Sequence, residues 1–439
     1  MQWEQPLQYA ALSDIGFRRQ NNQDACVVQL SNAPENWHES GHLFVVADGM
    51  GGHAVGELAS KLAVDTVPHT FQKLRQQPHP EALRQAIETA NTVIHERGLL
   101  NRDFLRMGTT CTAMLLCPQG ALFGHVGDSR AYRIRQQRIE QLTSDHSLIW
   151  ELIQQRKVSP EEAERLYPRN VITRSLGPEP TVQVDVEGPF EVMPGDTYLL
   201  CSDGLTSHVS DSEIGMIAGE LSPSEACRLL VHLANLRGGV DNTTVISVRL
   251  VAPPDALAFE SGEAAPPQPD WLDAVIFIGL ATVALLGMAL WLLTPLWLLG
   301  LVVLLTAVLL TVIRLIVSSR RKEVVDVPVA EAPSTQHWMP PRIAPAQITP
   351  GFLQQLARIE AELHRAAHEE NWPVDWGSHD ACVQRADVAM KLKQLPAALR
   401  EYARALDLLM TGVHWQRKQL HHETRWGKAA TPPARTKPD

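Results

Sequence analysis

The chain has 439 residues, enough for two or three domains, and its 39 basic against 49 acidic residues give a formal net charge of −10. Because this balance leaves no general cationic surface, we expect no nucleic-acid partner. The six cysteines form no C-x-x-C pair and mostly lie in apolar stretches. They argue against a disulfide framework or a zinc site and indicate a reducing compartment. The N-terminal MQWEQPLQYA has no basic region followed by an apolar core, so we expect no cleavable signal peptide.

Residues 1–251 predict one domain that contains both strands and helices. Helical patterns occupy residues 56–77 and 80–98. The β-like runs are, in chain order, ACVVQL, HLFVVA, TTCTAMLLC, ALFGHVG, DTYLLCS and TVISVRL. Residues 108–142 carry strand signals alone, which favours antiparallel hairpins over a βαβ series.

A long apolar segment follows this domain. Residues 252–273 form a Pro-rich, acidic linker, and residues 274–317 then carry Arg314 as their only charge. The apolar run is about twice the length of one membrane span, which needs about 20 residues. Pro295 stands near its middle between two tryptophans, so we predict two transmembrane helices joined by a very short turn.

The charges after the apolar run predict its orientation. Residues 320–322, Arg-Arg-Lys, follow it directly, and positive residues favour the cytoplasmic side of a membrane. A hairpin returns the chain to the side it left. We therefore expect a multi-pass protein of the inner (cytoplasmic) membrane whose two soluble regions both face the cytoplasm. The alternative is one long tilted helix, which would leave those regions on opposite sides.

The remainder of the chain predicts a small all-α region. Residues 323–350 form a second Pro-rich linker, and residues 351–426 have a helical pattern. Residues 427–439 have the composition of a disordered tail.

Part of the helical region resembles one tetratricopeptide hairpin. The residues with the matching spacing are Ala386, Ala398, Tyr402 and Ala405. Cys382 and Lys393 stand where that repeat usually has Trp and Gly. A lone repeat buries little surface, since about three repeats make a stable solenoid. Two interpretations stay open: a docking module for a protein partner, and a small helical bundle whose alanines only form its core.

The stretch FVVADGMGGHA, residues 44–54, raises the first question of chemistry. A β-like apolar run ends on Asp48, and three glycines follow within four positions. One interpretation is a nucleotide-binding loop, because residues 49–54 satisfy G-x-G-x-x-A. Asp48 would then point a negative charge at a pyrophosphate, and the domain does not alternate βαβ. We favour the other interpretation, a metal held by an aspartate.

Five aspartates occupy similar places beside apolar runs. They are Asp24, Asp48, Asp128, Asp203 and Asp241. If these strand ends meet at one sheet edge, the carboxylates repel one another unless cations lie between them. Oxygen ligands without His or Cys suit Mg²⁺ or Mn²⁺. The glycines after Asp48 and Asp203 are expected to adopt unusual backbone angles and to bring carbonyl groups close to a metal. Each aspartate singly also fits an ordinary turn, so the prediction depends on the five together.

Eight sequence blocks carry a resemblance to a known family. In chain order they are SDIGFRRQNNQDA, VVADGMGGHAVGELAS, GTTCTAML, GHVGDSRAYRI, LTSDHSL, ITRSLG, GDTYLLCSDGL and DNTTVISVRL. They are similar, in the same order, to blocks of the bacterial metal-dependent Ser/Thr protein phosphatases of type 2C, the PPM family, and cover roughly residues 8–250. The resemblance implies an α+β fold, a four-layer α-β-β-α sandwich of two antiparallel sheets flanked by helix pairs. It also implies hydrolysis of phosphoserine and phosphothreonine on proteins.

The resemblance implies a set of metal ligands as well. Asp48 matches the aspartate that bridges two Mn²⁺ or Mg²⁺ ions, and Gly49 supplies a backbone carbonyl. Asp203 and Asp241 match ligands of one metal, and Asp24 matches an outer or water-mediated ligand. Water activated at this binuclear centre would attack phosphorus directly, without a phosphoenzyme.

Two further assignments follow from the same resemblance. Asp128 matches a residue of a third metal site seen in bacterial members, shared with Asp203. Arg19 stands where the family places its phosphate-binding arginine, and Arg18 is its close competitor. Residues 146–170 fall where the family has a variable flap beside the site, for which a solvated surface helix is the alternative interpretation.

The sequence departs from the family pattern at two positions. Gln23 replaces a glutamate of many members, so we expect slightly weaker metal affinity without loss of the chemistry. Met50 stands where animal relatives carry a histidine proposed as the general acid, and a thioether cannot donate a proton. His53 is expected to open or cap the helix that follows it. His125, inside a strand, is expected to be a core histidine with its hydrogen bonds satisfied.

The sequence therefore supports one main function and two alternatives. The main hypothesis is a membrane-tethered cytoplasmic phosphatase that acts on phosphorylated proteins, either the substrates of a Ser/Thr kinase or the kinase itself. The catalytic alternative is a regulatory phosphatase for a single phosphoserine switch protein. The other alternative is an inactive scaffold of the same fold, which should have lost an inner aspartate, although all are present.

Overall fold

The computed structural model describes residues 7–251 and 340–426, together with a few isolated positions between 282 and 306. Short gaps within the first range lie at 32–36, 38, 52–53, 105, 156, 159 and 169–170. The two described ranges belong to one compact unit, and residues 254–339 form a second unit. Four predicted segments fall wholly or mostly outside the described residues: the linkers at 252–273 and 323–350, the apolar segment at 274–317 and the tail at 427–439.

The predicted membrane hairpin is not covered by the structural description. Among the residues that are described, no helix combines the length and the apolar character needed to cross a bilayer. Nearly all of residues 274–317 lie outside that set, so the two predicted spans stay a prediction.

Twelve strands are present in the described part of the chain. In chain order they are β1 (Leu7–Asp14), β2 (Asp24–Gln29), β3 (His42–Met50), β4 (Gly108–Thr109), β5 (Cys111–Cys117), β6 (Gly120–Val126), β7 (Arg130–Arg135), β8 (Arg138–Gln141), β9 (Asp185–Phe190), β10 (Thr197–Cys201), β11 (Thr243–Leu250) and β12 (Ile343–Pro345). All six predicted β-like runs contain a strand, and residues 108–142 form the antiparallel strands β4 to β8 as predicted.

The strands form two antiparallel sheets. The first has the order β1-β11-β10-β7-β8-β12, and the second has the order β2-β3-β5-β6-β9, with β4 paired to β3. Every neighbouring pair for which a register is recorded runs antiparallel. The predicted pair of antiparallel sheets is therefore confirmed.

Ten α-helices accompany the sheets in the described residues. They are α1 (Ala54–Lys73), α2 (His79–Leu99), α3 (Leu148–Gln154), α4 (Pro160–Leu166), α5 (Asp203–Thr206), α6 (Asp211–Glu220), α7 (Pro223–Leu236), α8 (Pro350–Glu369), α9 (Trp376–Lys391) and α10 (Leu395–Trp426). The two helices predicted at 56–77 and 80–98 correspond to α1 and α2.

The second sheet packs against α1 and α2 on one face. Every residue of β5 and β6 is buried, which explains why these strands are apolar throughout rather than alternating. Gly124 in β6 permits a close approach of α2, since a Cβ there would lie 2.6 Å from Ile87 Cδ1 and 3.1 Å from Leu83 Cγ. Between the sheets, the rings of Phe123 and Tyr198 lie 6.1 Å apart.

The first sheet packs against α6 and α7. Its side chains Tyr132, Leu199 and Val245 share one apolar cluster with residues of these helices. Local sequence signals fix where the helices begin. Ser210 and Glu213 form a capping box at the start of α6, and Ser222 caps α7 ahead of a proline.

The strand β12 extends the first sheet at the edge formed by β8. Ala344 pairs with Ile139 in antiparallel register, and the amide of Ala346 donates to the carbonyl oxygen of Gln137 at 2.8 Å. Ser212 at the start of α6 donates to the carbonyl oxygen of Pro345 at 2.5 Å. β12, which follows the apolar segment in the sequence, thus covers the β8 edge of the first sheet. Residues 1–251 alone would leave this edge exposed.

The helices α8, α9 and α10 share the core of the first domain. Leu353, Leu399 and Leu406 belong to the same apolar cluster as Leu229 and Leu230 of α7. The residues of the tetratricopeptide-like spacing, Ala386, Ala398, Tyr402 and Ala405, are all buried. These side chains therefore form core packing, and the helical region shares the apolar core of the domain. The docking role for a protein partner stays a prediction.

Substitution of Leu353 by alanine should destabilise the whole unit. Leu353 is fully buried in the shared cluster, so Leu353→Ala should lower the free energy of unfolding by about 2–5 kcal/mol through lost contacts and a residual cavity. Leu392 is 62% exposed, and Leu392→Ala should change it by less than about 0.5 kcal/mol. Denaturant unfolding of the full chain, followed with a probe placed in residues 7–251, checks this. Equal stabilities of the two variants would contradict a shared core.

Candidate metal centre

The five aspartates occupy defined ends and turns of the fold. Asp24 opens β2, Asp128 lies in the turn between β6 and β7, and Asp203 opens α5 directly after β10. Asp241 lies two residues before β11. Asp48 does not end its strand as the sequence suggested, because β3 continues to Met50 and pairs there with β4.

Asp24 and Asp48 face each other across neighbouring strands. They are direct partners in the β2–β3 register, an arrangement that is unfavourable for two like charges. The pKa of Asp24 is raised to about 7, mainly by burial. Hydrogen bonds of Ser202 and Thr244 act against this rise, and the nearby charges of Asp203 and Asp241 add to it. The pair therefore resists holding two negative charges without a compensating cation.

The other carboxyl groups belong to the same electrostatic group. Burial raises the pKa of Asp48 well above its usual range, and the charges of Asp24, Asp203, Asp128 and Asp241 act in the same direction. Burial likewise raises the pKa of Asp128 to about 8, with Asp203 as the next cause. The pKa of Asp203 is raised by burial and then by Asp241. All five predicted aspartates thus meet in one acidic centre.

The carboxylates are spread more widely than the ligands of one ion. Within the described residues, no three of these aspartates bring one oxygen each within 4.8 Å of one another. A cation shared by Asp48, Asp203 and Asp241 therefore requires side-chain rotation that draws their oxygens together.

Hydroxyl groups hold the backbone around the centre. Ser202 donates to Asp24 Oδ2 at 2.7 Å and accepts the amide of Thr244 at 2.9 Å, which joins β2 to β11. The amide of Asp48 donates to Thr110 Oγ1 at 2.9 Å, and that hydroxyl lies 2.8 Å from Ser129 Oγ. These bonds fix strand ends from both sheets at one place.

Asn242 ties the loop before Asp24 to the start of β11. Its Oδ1 accepts the amide of Gln23 at 2.8 Å, and its Nδ2 donates to the carbonyl oxygens of Ile15 at 2.9 Å and Asn21 at 3.1 Å. Asn242 is buried, and each of these contacts crosses from one end of the domain sequence to the other. The residue beside Asp241 thus sets the position of the loop that carries Arg19.

The glycines after Asp48 and Asp203 serve a purpose other than the predicted one. Neither Gly49 nor Gly204 has the positive φ that favours glycine. They are required by space, because a Cβ at Gly49 would lie 2.2 Å from the carbonyl oxygen of Gly56. A Cβ at Gly204 would lie 1.9 Å from that of Asn242. Close backbone approach therefore explains both glycines.

The residues present fit a hard divalent cation. The donor set is made of carboxylate oxygens, the ligands that Mg²⁺ and Mn²⁺ prefer. Asp24 Oδ1 and Asp128 Oδ1 are buried and have no hydrogen-bond partner among the described residues. Buried polar atoms rarely stay unpaired, so both oxygens are suited to a ligand that brings positive charge.

Arg19 lies at the rim of this centre. Its Nη2 donates to Asp241 Oδ2 at 2.8 Å, and its side chain is 45% exposed. The neighbouring Arg18 is also exposed, and its amide donates to the carbonyl oxygen of Gly239 at 2.9 Å. Of the two competitors, Arg19 is the one whose guanidinium contacts a member of the aspartate group.

Comparison with known proteins identifies the family of this chain. A family model described as protein phosphatase 2C matches residues 18–220. Protein phosphatase PhpP of Streptococcus pneumoniae is 36% identical over 253 residues, which cover 56% of this chain and 98% of that protein. The chain belongs to the protein phosphatase 2C, or PPM, family. It is a metal-dependent protein serine/threonine phosphatase, and the predicted family and enzyme class are confirmed.

A solved structure agrees with this assignment. The crystal structure of the Mycobacterium tuberculosis serine/threonine phosphatase PstP/Ppp is 34% identical with a TM-score of 0.50, and the match covers 56% of this chain and 99% of that one. A structure of the catalytic domain of PstP, 34% identical with a TM-score of 0.46 over 56% of this chain and 99% of that one, holds two manganese ions. These matches span about half of the present phosphatase.

A buried ion pair near the metal centre of the phosphatase was missed by the sequence reasoning. Arg130 donates from Nε to Asp145 Oδ1 at 2.9 Å and from Nη2 to Asp145 Oδ2 at 2.6 Å. Gln141 donates to the same carboxylate at 2.7 Å. Arg130 also lowers the pKa of Asp128 against the effect of burial. Arg130 lies in the block GHVGDSRAYRI and Asp145 in the block LTSDHSL. The opposite charges of these two residues were the only signal in the sequence that they pair.

The histidines near the centre of the phosphatase have structural partners. His125 Nδ1 lies 3.0 Å from Thr112 Oγ1, although its buried Nε2 has no hydrogen-bond partner among the described residues. His125 thus lies in the core as expected, but only one of its two ring nitrogens has a hydrogen-bond partner among the described residues. His146 Nδ1 accepts the amide of Gly127 at 3.0 Å, and its Nε2 lies 3.0 Å from Asp185 Oδ2. The expectation for His53 falls outside the described residues.

The predicted flap contains two short helices, α3 and α4. The ring of Trp150 in α3 lies 5.5 Å from the guanidinium carbon of Arg342. The carbonyl oxygen of Arg342 accepts the amide of Gln141 at 2.9 Å, so this arginine is fixed next to β8. The flap of this phosphatase thus contacts a residue from beyond the apolar segment.

Proposed function

We propose that Asp24, Asp48, Asp128, Asp203 and Asp241, with the carbonyl group of Gly49, form a centre for two Mn²⁺ or Mg²⁺ ions, with Asp128 and Asp203 as the residues for a third ion. The observation that carries this proposal is the buried group of mutually repelling carboxyls with raised pKa values and unpaired oxygens. When bound, divalent ions supply the charge that activates water for attack on a phosphate monoester.

The remaining chemistry falls to side chains of the phosphatase. Arg19 leaves Asp241 when substrate arrives and offers a planar pair of N–H groups to two phosphate oxygens. The high exposure of this ion pair makes its exchange inexpensive in free energy. Asp48 and Asp203 orient the ions, while Ser202, Thr110 and Asn242 keep the strand ends in place. Met50 cannot protonate the leaving group, so that proton comes either from solvent at the centre or from another protein group.

Substitution of Asp241 tests the assignment. Asp241→Asn removes one ligand charge and should lower Mn²⁺-dependent release of phosphate from a phosphothreonine peptide by at least about 100-fold, in the range of a lost electrostatic catalytic group. Asp65 is exposed on α1, and Asp65→Asn should retain wild-type activity. The assay is run with Mn²⁺ and again with a chelator. Wild-type turnover by Asp241→Asn would refute the site, and no Mn²⁺-dependent turnover by the wild type would favour the scaffold alternative.

We further propose that the enzyme acts on cytoplasmic phosphoproteins from the membrane surface, on substrates of a Ser/Thr kinase or on the kinase itself. The apolar segment at 274–317 and the basic residues after it support a membrane hairpin. Residues on both sides of that segment belong to one compact unit, and this also supports the hairpin, because a single span would separate them.

Reporter fusions test the membrane topology. Alkaline phosphatase is active only outside the cytoplasm, so a fusion after residue 439 should be inactive. A fusion within the turn near Pro295 should be active, because the hairpin places that turn on the far side of the membrane. An active fusion at residue 439 would contradict the proposal and favour the single tilted helix.

The layer order of the catalytic domain belongs to the same proposal. We infer the sequence α-β-β-α for residues 1–251, with α1 and α2 outside one sheet and α6 and α7 outside the other. The packing of Gly124 against Ile87 and the ring contact between Phe123 and Tyr198 support it. In this order the helices cover the outer faces of the two sheets, so the aspartates lie at one uncovered end of the sandwich.

A further inference from the structure

A cluster of imidazole and carboxylate groups lies between α8 and α9. One ligand atom from each of His364, His379 and Asp380 lies within 4.8 Å of the others. These residues and Glu360 line a cavity of about 350 Å³ that opens between the two helices. None of the aspartates of the catalytic centre belongs to this cluster.

His379 is the buried member of the cluster. It is 1% exposed, and its Nε2 lies 3.0 Å from Glu360 Oε1 without the alignment of a hydrogen bond. Its Nδ1 lies 3.0 Å from Asp380 Oδ1. If Nδ1 binds a metal together with Asp380, then Nε2 keeps the carboxylate of Glu360 beside it, the usual support for a metal-bound histidine.

We propose that His364, His379 and Asp380 form a zinc site, with Glu360 either completing the ligand set or supporting His379. Histidine nitrogens and carboxylate oxygens are regular ligands of tetrahedral zinc. Imidazole ligands disfavour Mg²⁺, so the site discriminates against the ion of the catalytic centre. Absence of cysteine ligands explains why the cysteine spacing gave no sign of zinc.

The site joins two helices that pack on the catalytic domain. Glu360 and His364 are four residues apart and so lie on one face of α8, while His379 and Asp380 lie in the first turns of α9. A ligand that binds only the folded form stabilises it by mass action. Zinc bound here should therefore stabilise the C-terminal helices against unfolding.

Calorimetric titration of the full chain with Zn²⁺, in excess Mg²⁺, tests the site. Wild type should bind Zn²⁺ with an affinity that falls at least about tenfold in His364→Ala and in Asp380→Asn, by loss of one ligand each. Both side chains are reached by solvent, so the variants should fold. His69 is exposed on α1, and His69→Ala should bind Zn²⁺ like wild type.

Three results would overturn the zinc proposal. They are no Zn²⁺ binding by wild type in excess Mg²⁺, wild-type affinity in both ligand variants, and equal weakening by His69→Ala. Thermal unfolding gives an independent readout, because Zn²⁺ should raise the melting temperature of wild type and raise it less in His364→Ala. Neither measurement depends on phosphatase activity.

A second inference rests on different contacts, those between α10 and the loop that carries Arg19. The guanidinium carbon of Arg417 lies 5.1 Å from the centre of the Phe17 ring, within the range of a cation–π contact. Arg417 also donates to the carbonyl oxygen of Gly16. The ring of His414 meets the same phenylalanine edge-on at 6.4 Å.

The other side of this loop is held by the segment before β11. The amides of Phe17 and Arg18 both donate to the carbonyl oxygen of Gly239, at 2.7 and 2.9 Å. The loop is thus fixed between α10 and the segment that contains Asp241. Arg19 follows two residues after Phe17, so its backbone position depends on both supports.

We infer that Arg417 is a positioning residue for Arg19, an inference that rests on the proposed role of Arg19 in binding phosphate. Loss of the contact should widen the range of positions that Arg19 samples. Displacements of about 1 Å at a binding group are enough to weaken catalysis. The C-terminal helix would therefore support substrate binding from outside the catalytic domain.

Steady-state kinetics on a phosphothreonine peptide with saturating Mn²⁺ separate positioning from a general structural role. Arg417→Ala should raise KM at least about threefold with little change in kcat, and Arg417→Lys should recover part of the loss, since lysine keeps the charge but not the planar fork. The control is Arg400→Ala, which removes an ion pair between α10 and Glu220 of α6. It should leave KM unchanged.

Arg19→Ala is measured alongside. An unchanged KM in Arg19→Ala would overturn the role of Arg19 itself. A raised KM in Arg19→Ala with wild-type kinetics in Arg417→Ala would overturn only the positioning inference. Equal effects of Arg417→Ala and Arg400→Ala would also overturn it, because any loosening of α10 would then suffice.

Discussion

The repulsion among buried carboxylates is the constraint on which the rest of the structure depends. Asp24 and Asp48 are paired across two strands, and burial together with neighbouring charges raises their pKa values. A fold tolerates this only if other interactions hold the strand ends together. Ser202 and Asn242 do so by linking β2 and the loop before it to the start of β11. These bonds hold together strands from the two ends of the domain sequence. The buried carboxylates thus lower the stability of this region in the absence of a cation, and such local cost is typical of functional sites.

The C-terminal region is part of the same body as the catalytic domain. β12 extends the first sheet, α8 to α10 share its apolar core, and Arg417 contacts the loop of Arg19. Relatives such as PhpP match only 56% of the chain yet are themselves almost fully covered. The described residues 340–426 therefore pack on a catalytic unit that PhpP has without them, and they contact both the predicted flap and the loop of Arg19.

The sequence predicted the local elements well and the long-range contacts poorly. Apolar runs such as those of β5 and β6 are strong signals, because strands covered on both faces have no polar residues. The aspartates were recognised from their places at strand ends and from the family resemblance. The purpose of Gly49 and Gly204 was misjudged, since close approach to Gly56 and Asn242 is invisible without the tertiary fold. The cluster of His364, His379 and Asp380 and the Arg417 contact join residues from separate helices or distant parts of the chain, so no spacing pattern in the sequence indicates them.

The position of β12 has a consequence for synthesis of the protein. Translation produces β8 long before residues 343–345, and the whole apolar segment must be made in between. During that interval the backbone groups of β8 have no neighbour on their outer side, and a free sheet edge attracts other strands. A ribosome that stalled, or a gene that ended, before residue 343 would release a chain that has all five aspartates of the acidic centre yet is prone to edge-to-edge association. Completion of the sheet thus couples solubility of the nascent enzyme to synthesis of the apolar segment at residues 274–317.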